Sequence, residues 1–424
     1  MKVDDSLPDY AYDFIKNICE KFGPRYSSSE AERKANLWIK EEFDKYCDET
    51  HVEEFKTNPN LYTQGIIKIS GILGGISFLF IPLMFPFSIL SAVCIFLLLF
   101  VVYNELFLLK RWIKIFFKEG TSSNVWGIIK PTGSIKFRVI LEGHTDSAKM
   151  MRLVNENADT KTPLKIFGIG FLYLLFTMVM SILKFISQIL VGNSLILAAP
   201  LSGLIQWTII DWIYFIPWFV LFPCFLYLIY GLTGNAVVDG ANDNLSGSAV
   251  AATVGKYFSA NRLKNVELII ASMGSEEIGD QGAKAWVNAH GDLLEKSYGF
   301  ILESLGTGSE LFIAEVDRMH KVTYSPEVIE RIKKAYNLHK KQYPDAITMK
   351  SGKLPILGSS DACMYIRGGY KASFIIVNEG ENNKKPAHWH SMTDTYDKMD
   401  KKVLKDVIGV TLNFVKLVDE EHNE

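Results

Sequence analysis

Two long stretches without charge constrain the fold of this 424-residue chain more than any other feature. In the first, no Asp, Glu, Lys or Arg occurs between Ile69 and Asn104. A transmembrane helix needs about 20 apolar residues. The first block therefore predicts two short membrane spans that turn near Pro82 and Pro86. The alternative interpretation is one very long buried helix.

The second apolar block, residues 166–238, is interrupted by single charges at Lys184 and Asp211. Its length is compatible with two, three or four spans. Polar motifs on both sides of the block are expected to share one site, which requires an even number of crossings. We therefore predict two spans, near 166–190 and 209–232, and four in the whole chain. Asp211 is expected at the membrane interface rather than in a functional site.

The stretch around Pro200 and Gly203 is predicted to be interfacial or re-entrant. Basic residues flank the soluble side of both blocks. By the positive-inside rule, these residues predict that the soluble part is cytoplasmic; they are Lys68, Lys110, Arg111, Lys114, Lys118, Lys161 and Lys165.

Cysteine content and the amino-terminal sequence point to the same compartment as the basic residues. The five cysteines are odd in number and form no C-x-x-C motif, which predicts free thiols in a reducing compartment. No apolar stretch follows the amino terminus, so no signal peptide is expected. Lys and Arg number 45 against 47 Asp and Glu, and this balance predicts no nucleic-acid partner.

Outside the apolar blocks, the sequence alternates predicted strands with predicted helices. This pattern predicts an α/β fold with a mixed, mostly parallel central sheet and helices on both faces. The soluble domain is expected to comprise three segments, residues 1–61, 113–162 and 234–424. A transmembrane hairpin at 62–112 and a second transmembrane block at 163–233 are expected to separate them.

A polar motif follows the apolar run Phe137–Ile140, which predicts a buried strand. His144 and Asp146 then lie at the carboxyl end of this strand and on one face, because alternate residues of a strand share a face. Asp146 is expected to accept the ring N–H of His144. Metal-binding histidines usually have such a partner.

Further candidate metal ligands follow other predicted strands or begin loops, which is where open α/β sheets place their sites. Adjacent carboxylates such as Glu276 and Glu277 are costly to bury without a cation or a shared proton. Two histidines together with several carboxylates suit a pair of zinc ions. The candidates are Asp243 in a glycine-rich loop, Glu276, Glu277, Glu303, and His390 with His388 two residues before it.

The order of these motifs resembles the co-catalytic di-zinc exopeptidases, the family of bacterial leucyl-type aminopeptidases and glutamate carboxypeptidase. The shared order is His-x-Asp, Asp in a Gly-Ala-x-Asp loop, Glu-Glu-x-Gly, an acidic strand end and His-Ser-x-x-Asp-Thr-x-Asp. The stretches 22–33 and 358–361 also resemble the family, and the resemblance covers about 1–60, 120–150 and 234–424. It implies the zinc exopeptidase fold.

The resemblance implies a role for each candidate. Asp243 would bridge two zinc ions, His144 and Glu303 would complete one metal site, and Glu277 and His390 the other. Glu276 would be the general base that acts on a water activated by the two metals, and Asp146 would support His144.

The chain also departs from the family pattern. The strand-end ligand is usually aspartate, whereas this chain has Glu303, and His388 could compete with His390. The apolar blocks interrupt a fold that is otherwise soluble.

The predicted function is that of a membrane-anchored zinc aminopeptidase, with a peptide as substrate and the lipid bilayer as partner. The acidic site suits an α-ammonium group, and no arginines cluster near the motifs. The alternatives are a carboxypeptidase of the same family and a catalytically silent peptide receptor. A glutaminyl-cyclase-like transferase is disfavoured by the full two-metal set. The remaining histidines and two further acids are expected to be exposed, namely His51, His290, His320, His339, His422, Glu315 and Asp317.

Overall fold

The computed structural model describes residues 3–83, 85–152, 161–191, 209–355, 358–380 and 383–423. The chain forms two compact units. One comprises Met1–Pro59, Glu119–Met150 and Asn235–Glu424, and the other comprises Asn60–Lys118 and Met151–Gly234. The Pro200–Gly203 stretch lies outside the described residues, so its predicted interfacial position stays a prediction.

A mixed β-sheet forms the centre of the first unit. Within the described residues its strand order is β1-β2-β4-β3-β5-β9-β6-β7, with β10 beside β9 and β8 beside β6. The strands are β1 Glu49–Thr57, β2 Gly120–Ile129, β3 Phe137–His144, β4 Val266–Met273, β5 Ser297–Glu303, β6 Glu310–Asp317, β7 Val322–Thr323, β8 Thr348–Lys353, β9 Ala372–Gly380 and β10 Asn383–Pro386.

Parallel pairing is confined mainly to the middle of this sheet. Strands β4, β3, β5 and β9 pair in parallel, whereas β1, β2 and β4 pair antiparallel at one side, as do β9, β6 and β7 at the other. The prediction of a mixed α/β sheet is confirmed, but its strands are less uniformly parallel than expected.

Eight helices of the first unit are described. Ser29 caps α2 through its side chain, which accepts the backbone N–H of Glu32, and serine is a favoured residue at this position. The helices are α1 Ser6–Phe22, α2 Glu30–Phe43, α7 Ser246–Ala260, α8 Gln281–Ala289, α9 Gly291–Leu294, α10 Pro326–Gln342, α11 Ala362–Arg367 and α12 Lys401–Glu421.

Two glycines allow the start of α7 to lie directly against the carboxyl ends of β3 and β5. A Cβ at Gly143 would lie 2.3 Å from the backbone nitrogen of Ser248, and a Cβ at Gly247 would lie 2.1 Å from the carbonyl oxygen of Leu302. No side chain fits at either position. The two glycines therefore fix the distance between the strand ends and the loop that precedes α7.

Four apolar helices make up most of the second unit, and each packs against the next in sequence. They are α3 Thr63–Phe80, α4 Ile89–Val102, α5 Lys161–Val191 and α6 Ile209–Leu232.

Among the described residues, two segments are long and apolar enough to cross a membrane, Ile89–Phe107 and Gly168–Leu190. Gly65–Phe80 is apolar but shorter. These are two candidate segments rather than the four predicted, and the four-span arrangement stays a prediction.

A buried ion pair joins α5 to α6. The Lys184 ammonium donates to both carboxylate oxygens of Asp211, at 2.9 and 3.0 Å, and to the Ile81 carbonyl oxygen at 2.6 Å. Both charged side chains are fully buried. The sequence did not predict that Lys184, on the preceding helix, pairs with Asp211, and the predicted position of Asp211 at the membrane interface stays a prediction.

Replacing one partner of this pair should destabilise the apolar unit. We expect Lys184→Met to lower the apparent melting temperature of the detergent-solubilised protein, because an unpaired buried carboxylate costs about 3–5 kcal/mol. The double variant Lys184→Met/Asp211→Leu should recover most of the loss, since neither charge then remains. A double variant that melts no higher than the single one would contradict a pairwise role.

Candidate metal centre

Six polar side chains from separate parts of the sequence converge at the carboxyl ends of β3, β4 and β5, where α/β sheets bind ligands. His144 ends β3 and Glu303 ends β5. Between them lie Asp243 from the loop before α7, Glu276 and Glu277 from the loop after β4, and His390 from the turn after β10.

The carboxylate of Asp243 lies between the two histidines. Its Oδ1 is 3.6 Å from His144 Nε2, and its Oδ2 is 3.4 Å from His390 Nε2. One carboxylate thus presents one oxygen to each imidazole. Asp243 is buried, which keeps both oxygens away from bulk water.

The other carboxylates divide between the two histidines. Glu276 Oε2 and Glu303 Oε2 lie 3.6 and 3.9 Å from His144 Nε2. Glu277 Oε2 lies 3.1 Å from His390 Nε2. These atoms fall into three groups whose members all lie within 4.8 Å of one another: His144–Asp243–Glu303, His144–Glu276–Glu277 and Asp243–Glu277–His390.

His388 has a different environment from His390. Its Nδ1 lies 3.0 Å from the Thr393 hydroxyl, and it belongs to none of the metal-binding groups found among the described residues. The structure therefore places His390, rather than His388, in the cluster.

Asp146 lies beside His144, but its contacts differ in part from those predicted. His144 Nδ1 is 3.0 Å from the backbone carbonyl oxygen of Asp146 and 3.5 Å from its carboxylate. The carboxylate instead accepts the backbone N–H groups of Glu276 and Glu277, at 3.0 and 3.2 Å. Asp146 thus connects β3 to the paired glutamates.

Residues 230–415 match the model of peptidase family M28. Asp243, Glu276, Glu277, Glu303 and His390 all lie inside this segment. Over this segment the chain is similar to peptidase family M28. The predicted resemblance to zinc exopeptidases is thereby confirmed at the level of the family.

Solved structures show the same fold along nearly the whole chain. A zinc aminopeptidase from Bacillus subtilis is 15% identical, with a TM-score of 0.55 over 97% of this chain and 95% of that one. A leucine aminopeptidase precursor from Bacteroides thetaiotaomicron is 14% identical (TM-score 0.55, 98% of both chains). A glutaminyl cyclase from the same organism is also 14% identical (TM-score 0.55, 98% of this chain and 99% of that chain). No curated protein matches the sequence.

Three side chains without a predicted role hold Asp243 and Glu303 in place through hydrogen bonds. Asp394 accepts the backbone N–H groups of Asn242 and Asp243, at 2.6 and 3.1 Å. Asn244 Nδ2 donates to Glu303 Oε2 at 2.7 Å, and the Ser360 hydroxyl donates to Glu303 Oε1 at 3.0 Å. The longer side chain of Glu303, a departure from the family pattern, is thus held by two donors. Asp394 and Ser360 lie in motifs that carried the resemblance, which was the only sequence signal for them.

The balance of charges within this cluster of six side chains favours a bound cation. Burial raises the pKa of Glu276 well above its usual range, and burial raises the pKa of Glu303 to about 8. Burial lowers the pKa of His390, but Glu277 and Asp243 outweigh this and raise it to about 10. Two histidines cannot neutralise four neighbouring carboxylates. Glu277 Oε1 is also buried without a hydrogen-bond partner in the described part of the chain. The donor set therefore fits divalent cations such as zinc.

Non-glycine residues with left-handed backbone conformations flank the cluster. The φ angles of Ser275, Ser304 and His390 are 59°, 46° and 51°. Such conformations are uncommon for residues with a Cβ, and they concentrate at functional sites. Here they turn the chain immediately before Glu276, immediately after Glu303 and at His390 itself.

Arg25 connects backbone segments that carry residues of the cluster. It is fully buried and donates to the carbonyl oxygens of Gly23, Thr145, Asp239 and Gly240. It therefore ties the end of β3 to the loop that carries Asp243. Arg25 belongs to the amino-terminal stretch that carried part of the predicted resemblance.

Removing the Arg25 guanidinium should destabilise the first unit. We expect Arg25→Met to cost roughly 3 kcal/mol or more, because several buried carbonyl groups lose their donor at once. Arg33→Met is the matched control, since Arg33 pairs with Glu30 at the surface, where solvent screens the interaction and its loss should change stability little. Chemical denaturation monitored by tryptophan fluorescence provides the measurement. Equal unfolding midpoints for the two variants would contradict the account.

Three side chains that were predicted to be exposed are buried. His339 Nε2 lies 2.8 Å from Asp406 Oδ1 between α10 and α12, and Gly409 leaves room for its ring. Asp317 and His320 are also buried, at the end of β6 and in the turn that follows it. Glu315 was predicted to be exposed, and its side chain is 39% exposed.

Proposed function

We propose that this protein is a membrane-anchored, two-metal aminopeptidase. The position of the Asp243 carboxylate carries the proposal, because its two oxygens face His144 and His390 separately. A carboxylate in this position can bridge two cations. The M28 assignment supports the same class of chemistry.

The five donors divide into two sets around Asp243. His144 and Glu303 would hold one zinc ion, and Glu277 and His390 would hold the other, with Asp243 shared. Two zinc ions, when bound, supply the Lewis acidity that activates a water molecule and polarises a carbonyl oxygen. Asn244, Ser360 and Asp394 orient the carboxylates for this purpose.

Glu276 is placed to move the proton. Its carboxylate reaches the cluster from the loop after β4, and its backbone N–H is fixed by Asp146. In peptide hydrolysis, Glu276 would accept a proton from the attacking water as the water oxygen bonds to the scissile carbonyl carbon. It would then deliver that proton to the departing amine nitrogen.

The charge of the site favours attack at the amino-terminal end of a peptide. The cluster is lined by carboxylates, which attract an α-ammonium group and repel a carboxylate. Arg25 donates to the backbone carbonyl oxygens of Thr145 and Asp239, and Arg367 donates to the His320 carbonyl oxygen at 3.1 Å.

The membrane anchor rests on the exposed apolar surface of the second unit. Only 33% of the apolar window in Ile89–Phe107 and 17% of that in Gly168–Leu190 is buried. Large apolar side chains such as Leu79, Phe96 and Leu172 are exposed. A core helix of a soluble protein would bury such side chains, so a lipid environment accounts for them better.

Digestion of a mixed peptide library, followed by mass spectrometry, tests the proposed function. We expect the wild-type protein with zinc to remove residues one at a time from amino termini. Glu276→Gln, or wild type with a chelator, should leave the library intact.

Other product patterns would contradict the proposed aminopeptidase activity. Trimming from carboxyl termini would make the protein a carboxypeptidase. Loss of ammonia from peptides with amino-terminal glutamine would indicate a cyclase, like the structural neighbours with that activity. An intact library with both metals still bound would indicate a peptide-binding receptor.

A further inference from the structure

A second group of metal-binding side chains lies outside the cluster around Asp243. It comprises Asp280, His320 and Cys363, whose candidate ligand atoms all lie within 4.8 Å of one another. All three residues are at least nine-tenths buried. They come from three separate elements: the residue before α8, the turn between β6 and β7, and the first turn of α11.

The ring of His320 is oriented as in a metal ligand. Its Nδ1 lies 2.5 Å from the Ser359 hydroxyl and 3.3 Å from Asp317 Oδ2. Ser359 donates its single hydroxyl proton to Asp317 at 3.1 Å, so its oxygen accepts a proton from Nδ1. This assignment leaves the lone pair on Nε2. A histidine whose Nδ1–H is held in this way, ultimately by a carboxylate, presents Nε2 to a metal.

His320 Nε2 has no hydrogen-bond partner within the described residues, although it is buried. Buried polar atoms almost always have a partner, so an exception calls for an explanation. Asp317 is already satisfied by three donors, the His320 backbone N–H, Ser359 and Tyr324. The unpaired atom therefore belongs with Asp280 and Cys363 rather than with Asp317.

The contact between Asp280 and Cys363 also fits a cation. Cys363 Sγ lies 3.6 Å from Asp280 Oδ2. Without a cation the sulfur stays a thiol that donates to Asp280. A bound metal would instead stabilise the thiolate and the carboxylate together.

We propose that Asp280, His320 and Cys363 form a mononuclear zinc site distinct from the centre around Asp243. One imidazole nitrogen, one carboxylate oxygen and one thiolate sulfur suit zinc, whereas magnesium and calcium prefer oxygen ligands alone. Three protein ligands leave one coordination position open.

The proposed site lies close in sequence to the loop that carries Glu276 and Glu277. Asp280 follows Glu276 and Glu277 in a tight turn, in which the backbone N–H groups of Gly279 and Asp280 both donate to the Glu276 carbonyl oxygen at 2.8 Å. A metal bound to Asp280 would join this turn to α11 and to the β6–β7 turn. The site does not depend on the proposed peptidase activity.

Cobalt substitution of the full-length, detergent-solubilised protein tests the proposal, because this is the only metal-binding group among the described residues that contains a cysteine. We expect metal-free wild type reloaded with Co²⁺ to show thiolate-to-cobalt charge-transfer absorption in the near ultraviolet. Cys363→Ser should lose this absorption and one metal ion per chain. His390→Ala, which alters the other centre, should retain it.

Cys19→Ser is the matched control, since Cys19 is buried but belongs to none of the metal-binding groups among the described residues. It should retain the absorption. X-ray absorption at the zinc edge of the wild type adds a readout that needs no variant, and should show a Zn–S distance of about 2.3 Å. Cobalt-loaded wild type without the charge-transfer band, or zinc with nitrogen and oxygen neighbours only, would overturn the proposal.

Discussion

Glu276→Gln should reduce kcat for peptide hydrolysis by about 10²–10⁴-fold, the usual contribution of a positioned general base. Glutamine has nearly the same shape but cannot accept the proton of the attacking water. Zinc content should remain that of the wild type, and KM should change little, because the donors assigned to the metals are His144, Asp243, Glu277, Glu303 and His390. Steady-state kinetics on a peptide, with metal analysis of the same sample, provide the measurement.

The neighbouring residue supplies the control for this prediction. Glu277→Gln makes the same substitution at the adjacent residue of the loop, but it should lower zinc content as well as kcat. If both variants lost metal equally, Glu276 would be a ligand rather than a base.

Asp243→Asn should have the largest effect on metal content. An amide offers one oxygen acceptor and no charge, so it cannot neutralise and bridge two cations. We expect metal affinity to fall by more than the roughly 10–100-fold that accompanies loss of an outer hydrogen-bond partner. Activity should fall with it. Zinc titration monitored by calorimetry measures the affinity.

Asp239→Asn is the matched control in the same loop. Asp239 contributes its backbone carbonyl, not its carboxylate, to Arg25, so this variant should bind zinc as the wild type does. Two zinc ions bound to Asp243→Asn with unchanged affinity would contradict a bridging role.

The sequence predicted much of the site because motif order and strand ends are local features. The apolar runs before His144 and Glu303 predicted strands, and both residues end strands in the structure. The contacts that orient them were not predictable in the same way. Asp146 uses its carbonyl oxygen towards His144 and its carboxylate towards the glutamate loop, a choice set by backbone geometry that sequence spacing does not determine.

The errors concern residues whose environment is made by distant segments. Asp317 and His320 were predicted to be exposed from their local sequence alone. They are buried because Ser359 and α11 pack against them, and neither was predicted as a neighbour. Lys184, which lies on another helix, was likewise not predicted as the partner of Asp211.

A crystal of the zinc-loaded protein, measured on both sides of the zinc absorption edge, tests the central claim most directly. The account predicts two anomalous peaks about 3.5–4 Å apart, one beside His144 and Glu303 and the other beside Glu277 and His390, with the Asp243 carboxylate between them. A single peak in this cluster, or two peaks that Asp243 does not bridge, would contradict the two-metal centre.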